Sequence, residues 1–125
     1  MCQVARLAEG ERTVVVANLH ATSYPPDERL ADAELHRAFT YVDGIALPNE
    51  PVAVAGDFNV TYDRSRTLLD VAGPEWGFSK PGSGIDHILV RHLTVTSGPD
   101  RWPKERREAH GALLSDHAPV EIVVT

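Results

Sequence analysis

The sequence predicts an α/β fold, a layered α/β sandwich with a mixed β-sheet and outer helices. Short Val-rich segments are apolar on both faces, which is typical of buried central strands. A segment with helical periodicity separates two of them, and such a crossover makes the two strands parallel. The 125 residues, 42% of them hydrophobic and 24% charged, are enough to bury the core of one globular domain without disulfides.

The chain is predicted to begin with a β-hairpin. Residues 4–7 and 13–18 are rich in strand-forming side chains, and residues 8–12 between them have the Gly and polar residues of a hairpin loop. Residues 14–17, Val-Val-Val-Ala, are apolar on both faces. We therefore expect the second strand of the hairpin to be central and covered on both sides.

A helix and a second buried strand follow. Asp27 suits the N-cap of a helix over residues 27–42. The apolar residues of this helix recur at helical spacing and form one stripe: Ala31, Leu35, Ala38, Phe39 and Val42. Residues 52–55, Val-Ala-Val-Ala, predict the next buried strand, and residues 65–71 predict a short helix.

The C-terminal part contains two more predicted strands. One covers residues 85–90 and continues through Val95, and the other covers residues 120–124. Residues 97–111 are polar and irregular, and they are numerous enough to carry the chain back across the sheet. We expect the last two strands to run opposite to the strands at residues 14–17 and 52–55 within one sheet.

Polar residues stand at the same end of all four sheet strands in this arrangement. Two clusters follow strands, and two stand at the start of strands whose direction is reversed, so all four meet at one edge of the sheet. The residues are His20, Asp57, Asn59, Asp86, Asp116 and His117. Their convergence, more than any single residue, indicates a functional site.

Asp57 and Asn59 are two residues apart, so their side chains point to the same side of an extended segment. Carboxylate and amide oxygens are hard ligands, which suit Mg²⁺ or Mn²⁺. The Asn59 amide can instead donate a hydrogen bond to a phosphate oxygen. A Gly-Asp-x-Asn sequence after a strand is also good turn chemistry, so this motif alone leaves a structural role open.

Asp116 and His117 add a carboxylate and an imidazole that titrates near neutral pH, and Asp86 can orient that imidazole. His20 is a candidate donor to a phosphate. Taken singly, an Asp–His pair is more often a surface ion pair, and a His after a strand is more often a hydrogen-bonded terminus. Because no Ser or Cys stands in a nucleophile-elbow motif, the whole set favours metal-assisted attack of water on a phosphoester.

Four ordered motifs extend over nearly the whole chain. They are Asn18-Leu19-His20, Gly56-Asp57-Phe58-Asn59, Ile85-Asp86-His87-Ile88-Leu89-Val90 and Ser115-Asp116-His117-Ala118-Pro119-Val120. In their order and spacing they resemble the endonuclease/exonuclease/phosphatase superfamily, the DNase I-like metal-dependent phosphoesterases. The resemblance implies a four-layer α/β sandwich and a phosphoesterase that depends on Mg²⁺ or Mn²⁺. It implies that Asp57, Asn59 and Asp116 bind the metal.

The resemblance also implies catalytic roles. Asp57 positions or activates the attacking water, and Asn59 contacts the metal or the phosphate. His117 acts at the phosphate as base or donor with Asp86 as its partner, and His20 stabilises the charge on the developing phosphorane. The base is not assigned to a single group. The substrate is a phosphodiester or a phosphomonoester, with nucleic acid, a phospholipid headgroup and a small phosphate ester all open.

The chain departs from the family pattern at its start. In the family, an Asn and a metal-binding Glu precede the Asn-x-His strand, whereas only 13 residues precede Val14 here. Glu9 and Glu11 lie in the predicted hairpin loop and do not take that role. We therefore expect residues 1–125 to be the C-terminal half of a family domain. The alternative to an active enzyme is a half-domain that needs an N-terminal half, a partner chain or self-association, or a non-catalytic binding remnant.

Charge and composition exclude other classes. The net charge of −6 argues against a module that holds nucleic acid by bulk electrostatics. The segment before the last motif is locally basic and contains Arg101, Trp102, Lys104, Arg106 and Arg107. It suits either a substrate-contacting rim or a solvated loop. Its acidic neighbours nearly cancel its charge and therefore favour the solvated loop. No apolar run approaches the roughly 20 residues of a membrane span, and no signal-like segment opens the chain. With one cysteine, a cytoplasmic location is the default expectation.

Overall fold

The computed structural model describes residues 1–125 as an α/β fold around a four-stranded mixed β-sheet. In spatial order the strands are β1 (Cys2–Glu9), β2 (Arg12–His20), β3 (Val52–Asp57) and β4 (Asp86–Arg91). The β1–β2 pair is an antiparallel hairpin, β2 and β3 are parallel, and β4 is antiparallel to β3. The predicted hairpin, the parallel crossover and the mixed sheet are therefore confirmed.

Two helices lie outside the sheet. Helix α1 spans Arg29–Ile45, so it begins two residues later than predicted, and Asp27 is not its N-cap. The Asp27 carboxylate instead accepts a hydrogen bond from the backbone nitrogen of Arg29 at 3.0 Å, in the turn before the helix. Helix α2 spans Arg66–Val71, and the Ser65 hydroxyl caps it by accepting from the backbone nitrogen of Leu68. Neither helix is long and apolar enough to cross a membrane.

The hydrophobic core lies between the helices and one face of the sheet. The predicted apolar stripe of α1 is buried throughout and packs on alternate residues of the strands, which include Val15, Ala17, Val52, Val54 and Leu89. Phe39 of α1 meets Phe58 and Phe78 edge to face, with ring centroids 6.3 and 5.0 Å apart. This edge-to-face packing joins the helix to the turns that follow β3 and α2.

The opposite face of the sheet is only partly covered. Val14 and Val16 of β2 are half-buried, as are Ala53 and Ala55 of β3, while Leu7 of β1 is 54% exposed. The prediction that the central strands are covered on both sides is therefore correct for one face only. The reason is that both helices pack on the same face, and the small second sheet reaches only part of the other.

The C-terminal part differs most from the prediction. The strand predicted through Val95 ends at Arg91, because His92 has a left-handed backbone (φ 57°) that turns the chain. Strands β5 (Val95–Arg101) and β8 (Val120–Val124) then form a separate two-stranded sheet. The prediction that all four strands share one sheet is therefore wrong, although β8 packs against β4.

Residues 97–111, predicted to be irregular, contain ordered structure. They include most of β5 and a 3₁₀ turn at Lys104–Arg107, and a hairpin of β6 (Glu108–Ala109) and β7 (Ala112–Leu113) follows. Periodicity missed β5 because Gly98 and its following proline interrupt the alternation. A Cβ at Gly98 would lie 2.6 Å from the Glu121 carbonyl oxygen, so the glycine is needed where β5 approaches β8.

Candidate active site

The polar ends of three strands meet at one edge of the main sheet. In the strand register, His20 of β2 is paired with Asp57 of β3, and Asp57 is paired with Asp86 of β4. The parallel β2–β3 pair and the reversed β4 bring these residues together, as the sequence predicts. Gly56 permits this close approach: it has φ +142°, and a Cβ there would overlap the Leu19 carbonyl oxygen.

Asp57 is the most central side chain of the edge. Its carboxylate is about one-fifth exposed, and Oδ1 accepts a hydrogen bond from the backbone nitrogen of Asn59 at 2.9 Å. Its Oδ2 lies 3.7 Å from His20 Nε2 and 3.9 Å from His117 Nδ1. One oxygen is thus fixed by the turn, and the other faces the two imidazoles.

Asn59 holds the turn after β3 and sits in the left-handed region, with φ 50°. Its Nδ2 donates to the Ala21 carbonyl oxygen at 2.7 Å, and the Ala21 backbone nitrogen donates to the Asp57 carbonyl oxygen at 2.9 Å. The amide nitrogen therefore ties the ends of β2 and β3 together. The carboxamide oxygen of Asn59 is a hard ligand, and it is the side-chain atom available to bind a cation.

Asp86 and His117 form a close pair. His117 Nδ1 lies 3.0 Å from both carboxylate oxygens of Asp86, and the His117 backbone nitrogen donates to the Ser115 hydroxyl at 3.1 Å. The hydrogen bond to Asp86, together with its negative charge, raises the pKa of His117. With Nδ1 engaged by Asp86, Nε2 is the His117 atom that remains for a ligand.

Asp57, Asp86 and His117 each offer a ligand atom within 4.8 Å of the others. Two carboxylates and an imidazole are compatible with Mg²⁺ or Mn²⁺, since Mg²⁺ is often held by one or two carboxylates and completed by water and substrate oxygens. Both oxygens of Asp86 already face His117, so Asp57 Oδ2 is the most available carboxylate oxygen. The donor set fits a hard divalent cation.

Two predicted residues lie further out. His20 has a side chain that is 71% exposed, so it lies at the rim of the site, with Asp57 as its nearest acidic partner. Asp116 is exposed and lies outside the group formed by Asp57, Asp86 and His117. The structure thus brings together His20, Asp57, Asn59, Asp86 and His117, and it leaves Asp116 beside them.

A cavity of about 370 Å³ opens beside this group. Its lining includes Gly56 of β3, Asp86 of β4, His117 and Pro119 of the loop before β8, and Val120 of β8. Its size is at the lower end of small-molecule sites. A phosphate ester therefore has room next to His117.

Arg101 belongs to the same group, although the sequence favoured a solvated loop for it. Its Nε donates to the Ser83 carbonyl oxygen at 3.2 Å, its Nη2 donates to the Asp86 carbonyl oxygen at 3.3 Å, and its Nη1 lies 3.8 Å from Asp86 Oδ2. No local pattern signals this contact, because it depends on the second sheet. Arg106 stacks on Trp102 instead, with its guanidinium 3.9 Å from the ring centroid.

The sequence model of the Endonuclease/Exonuclease/phosphatase family matches residues 3–117. The chain belongs to this family. The match includes the ends of β2, β3 and β4 as well as Asp116 and His117, so the whole candidate site lies within the region that defines the family. No curated protein sequence shows significant similarity to the chain.

Several solved structures share the fold of this family member. A humanized TDP2 from D. rerio superposes with a TM-score of 0.70 at 15% identity, over 99% of this chain and 57% of that one. Beta toxin from Staphylococcus aureus with bound magnesium ions gives 0.62 at 14%, over 95% and 56%. Sphingomyelinase C from Streptomyces griseocarneus gives 0.58 at 18%, over 94% and 55%. The chain thus spans little more than half the length of these structures.

Proposed function

We propose that this chain is a divalent-metal-dependent phosphoesterase that hydrolyses a phosphodiester or phosphomonoester with an activated water molecule. One observation carries the proposal: Asp57 and Asp86 of the main sheet and His117 of the loop before β8 converge within 4.8 Å beside an open cavity. Groups that contribute only to stability have no reason to meet at a cavity mouth. Family membership supports the same reaction class.

Each side chain has a distinct proposed task. Asp57 orients the attacking water through Oδ2, since the Asn59 backbone already fixes Oδ1. Asp86 holds Nδ1 of His117, so that Nε2 exchanges a proton at the phosphate as base or donor. His20 at the rim donates to the charge that develops on the phosphoryl oxygens.

Asp57 and Asn59 are the proposed ligands of Mg²⁺ or Mn²⁺. A bound cation would supply charge neutralisation at the phosphoryl oxygens and a lowered pKa of bound water. A magnesium-bound structure among the similar folds supports this choice of ion. Asp116 remains a predicted ligand of that ion, and its exposed carboxylate makes it the weakest of the three.

The substrate class stays open between nucleic acid, a phospholipid headgroup and a small phosphate ester. The similar structures include a sphingomyelinase and TDP2, so they favour no single substrate. The net charge of −6 disfavours bulk attraction to a polyanion. We also propose a cytoplasmic location, because the one cysteine, Cys2, is free and exposed, which suits a reducing compartment.

Hydrolysis of bis(p-nitrophenyl) phosphate and p-nitrophenyl phosphate tests the proposal. Activity should require Mg²⁺ or Mn²⁺, and Asp57→Ala and His117→Ala should each lower kcat/KM by on the order of 10²–10⁴-fold. His36→Ala is the matched control, because His36 is exposed on α1. No hydrolysis, or hydrolysis that survives a chelator or both substitutions, would exclude this function for the chain.

A second candidate is a half-domain that is inactive alone and needs an N-terminal half, a partner chain or a second copy to cover the sheet, or a non-catalytic binding remnant. The half-covered sheet face favours it. A groove of about 420 Å³ on that face is lined by apolar side chains that include Leu7, Val14, Leu93 and Val124.

Light scattering separates the candidates: an active particle of 13.7 kDa refutes the need for a partner. A larger particle, or an inactive monomer, supports it.

A further inference from the structure

Arg101 reaches from the second sheet to the loop that begins β4. It lies at the end of β5, where its backbone pairs with Val120 of β8, and the neighbouring Trp102 backbone nitrogen donates to the Pro119 carbonyl oxygen at 2.9 Å. The strand that carries Arg101 is therefore paired with the strand that follows His117. Its guanidinium is the polar connection between this pair of strands and the loop at Ser83 and Asp86.

A glycine makes room for the guanidinium. A Cβ at Gly84 would overlap Arg101 Nη2 and would lie 2.8 Å from its Cζ, and Gly84 has φ +82°. Nε and Nη2 both donate to the Ser83 carbonyl oxygen, so the planar group lies against bare backbone. A planar guanidinium presents two nitrogens to the Ser83 carbonyl oxygen at once, whereas the single ammonium of lysine cannot reproduce this geometry.

Arg101 is placed to act on Asp86 and not on the substrate. Asp86 Oδ2 is close to both side chains: it lies 3.0 Å from His117 Nδ1 and 3.8 Å from Arg101 Nη1. Arg101 does not line the cavity beside His117. Its side chain is 32% exposed, which is low for an arginine in a chain segment where no residue is buried.

We infer that Arg101 is a positioning residue of the active site: it holds the Ser83–Asp86 loop so that both carboxylate oxygens of Asp86 face His117 Nδ1. This inference deepens the proposed phosphoesterase function and rests on it for its catalytic consequence. Without the guanidinium, the Asp86 carboxylate turns away from His117, and the imidazole loses the partner that fixes its tautomer.

Kinetics with p-nitrophenyl esters test the catalytic consequence. Arg101→Ala should lower kcat by about 10–100-fold, the effect typical of groups that orient a functional side chain, with KM within about twofold of wild type. Arg101→Lys should not restore kcat, whereas millimolar guanidinium chloride should restore part of it in Arg101→Ala and equal sodium chloride should not. Arg106→Ala is the control, since Arg106 contacts Trp102 and Glu121 instead.

The ring nitrogens of His117 provide a readout that needs no hydrolysis. In the metal-free protein with chelator at pH 9, ¹⁵N NMR of wild type should show the neutral tautomer with the proton on Nδ1, and Arg101→Ala should show a mixture. A changed tautomer without any hydrolysis supports the positioning role and refutes the proposed reaction. Any of three results for Arg101→Ala overturns the inference. They are an unchanged tautomer of His117, a raised KM with an unchanged kcat, and a lowered Tm together with a kcat that guanidinium does not restore.

Discussion

Residues 1–91 and residues 92–125 hold their parts of the site by different means. Every buried residue lies between Val15 and Val90, and none lies in the last 34 residues. Asp57 ends β3 and Asn59 follows it, and Val52 and Val54 of that strand are fully buried. His117 instead lies on an exposed loop and is held by Asp86 and Ser115. Apolar packing thus fixes one half of the site, and polar contacts fix the other.

This difference predicts unequal local stability. Segments with few buried apolar contacts open at lower free energy than the core, so the C-terminal sheet should exchange its amide hydrogens before β2 and β3 do. The site is complete only when this sheet packs against β4, because His117 lies in the loop before β8. Variants in each region therefore test whether the two halves depend on different forces.

The largest expected effect comes from the aromatic core. Phe39→Ala removes a fully buried ring that touches two other phenylalanines, and should lower the free energy of unfolding by about 3–5 kcal/mol. Val123→Ala, on β8 and 55% exposed, should change it by less than about 0.5 kcal/mol. Urea unfolding measures both. Equal losses would show that the C-terminal region is as tightly packed as the core.

A smaller effect is expected at the contact between β2 and β3. Gly56→Ala places a methyl group against the Leu19 carbonyl oxygen at a φ of +142°, so we expect a loss of about 1–3 kcal/mol and a displaced Asp57. Gly44→Ala is the matched control: its added Cβ meets nothing within 4 Å in α1, and it should stabilise by about 0.5–1 kcal/mol. If Gly56→Ala is neutral in urea unfolding, the close approach is not required.

The ionisation of Glu50 should make the free energy of unfolding of residues 1–91 depend on pH in the acid range. Hydrogen bonds from Arg6, Leu47 and Thr13 lower the pKa of Glu50 to about 2, from an ordinary value of 4.5. Because the folded value is the lower one, its contribution is full above pH 4.5 and is lost as the pH falls toward 2. Glu50→Gln should flatten the unfolding free energy over that range. An unchanged pH profile would mean that the buried carboxylate is not the group that titrates.

His117 gives the corresponding, smaller effect in the second region. Asp86 raises the pKa of His117 above the ordinary 6.5. Because the folded value is the higher one, the pair stabilises the loop that carries His117 fully below pH 6.5. This contribution is lost as the pH rises through the raised value. Asp86→Asn should lower the pKa of His117, as measured by NMR titration in chelator. A pKa that is the same in both proteins would show that the pair is not formed in solution.

The sequence predicted the first region better than the second. Continuous apolar runs identify β2 and β3, and helical spacing identifies α1, because these elements contain most of the buried core. The same signals failed after Arg91, where a left-handed His92 ends β4 and Gly98 and Pro99 interrupt the alternation within β5. The motifs predict a shared site for Asp57, Asp86 and His117, and the structure brings these three side chains together.

The contact made by Arg101 was beyond prediction for a related reason, whereas a half-covered sheet face is what a half-domain is expected to have. Arg101 contacts Asp86 only because β5 pairs with β8 in a second sheet, and no local pattern encodes that pairing. The apolar pattern of β2 predicts cover on both faces, whereas the chain covers one. Which side chains meet across the two sheets is a property of long-range packing, so periodicity does not reveal it.

Metal binding tests most directly whether the two regions form one site. Substoichiometric Mn²⁺ should broaden the amide NMR signals of Asn59 and His117 together, leave Gly44 in α1 sharp, and lose both effects in Asp57→Asn. Broadening of Asn59 alone would mean that the C-terminal sheet does not dock at the metal. Equal broadening at Gly44, or broadening that survives Asp57→Asn, would contradict a metal site at this edge of the sheet.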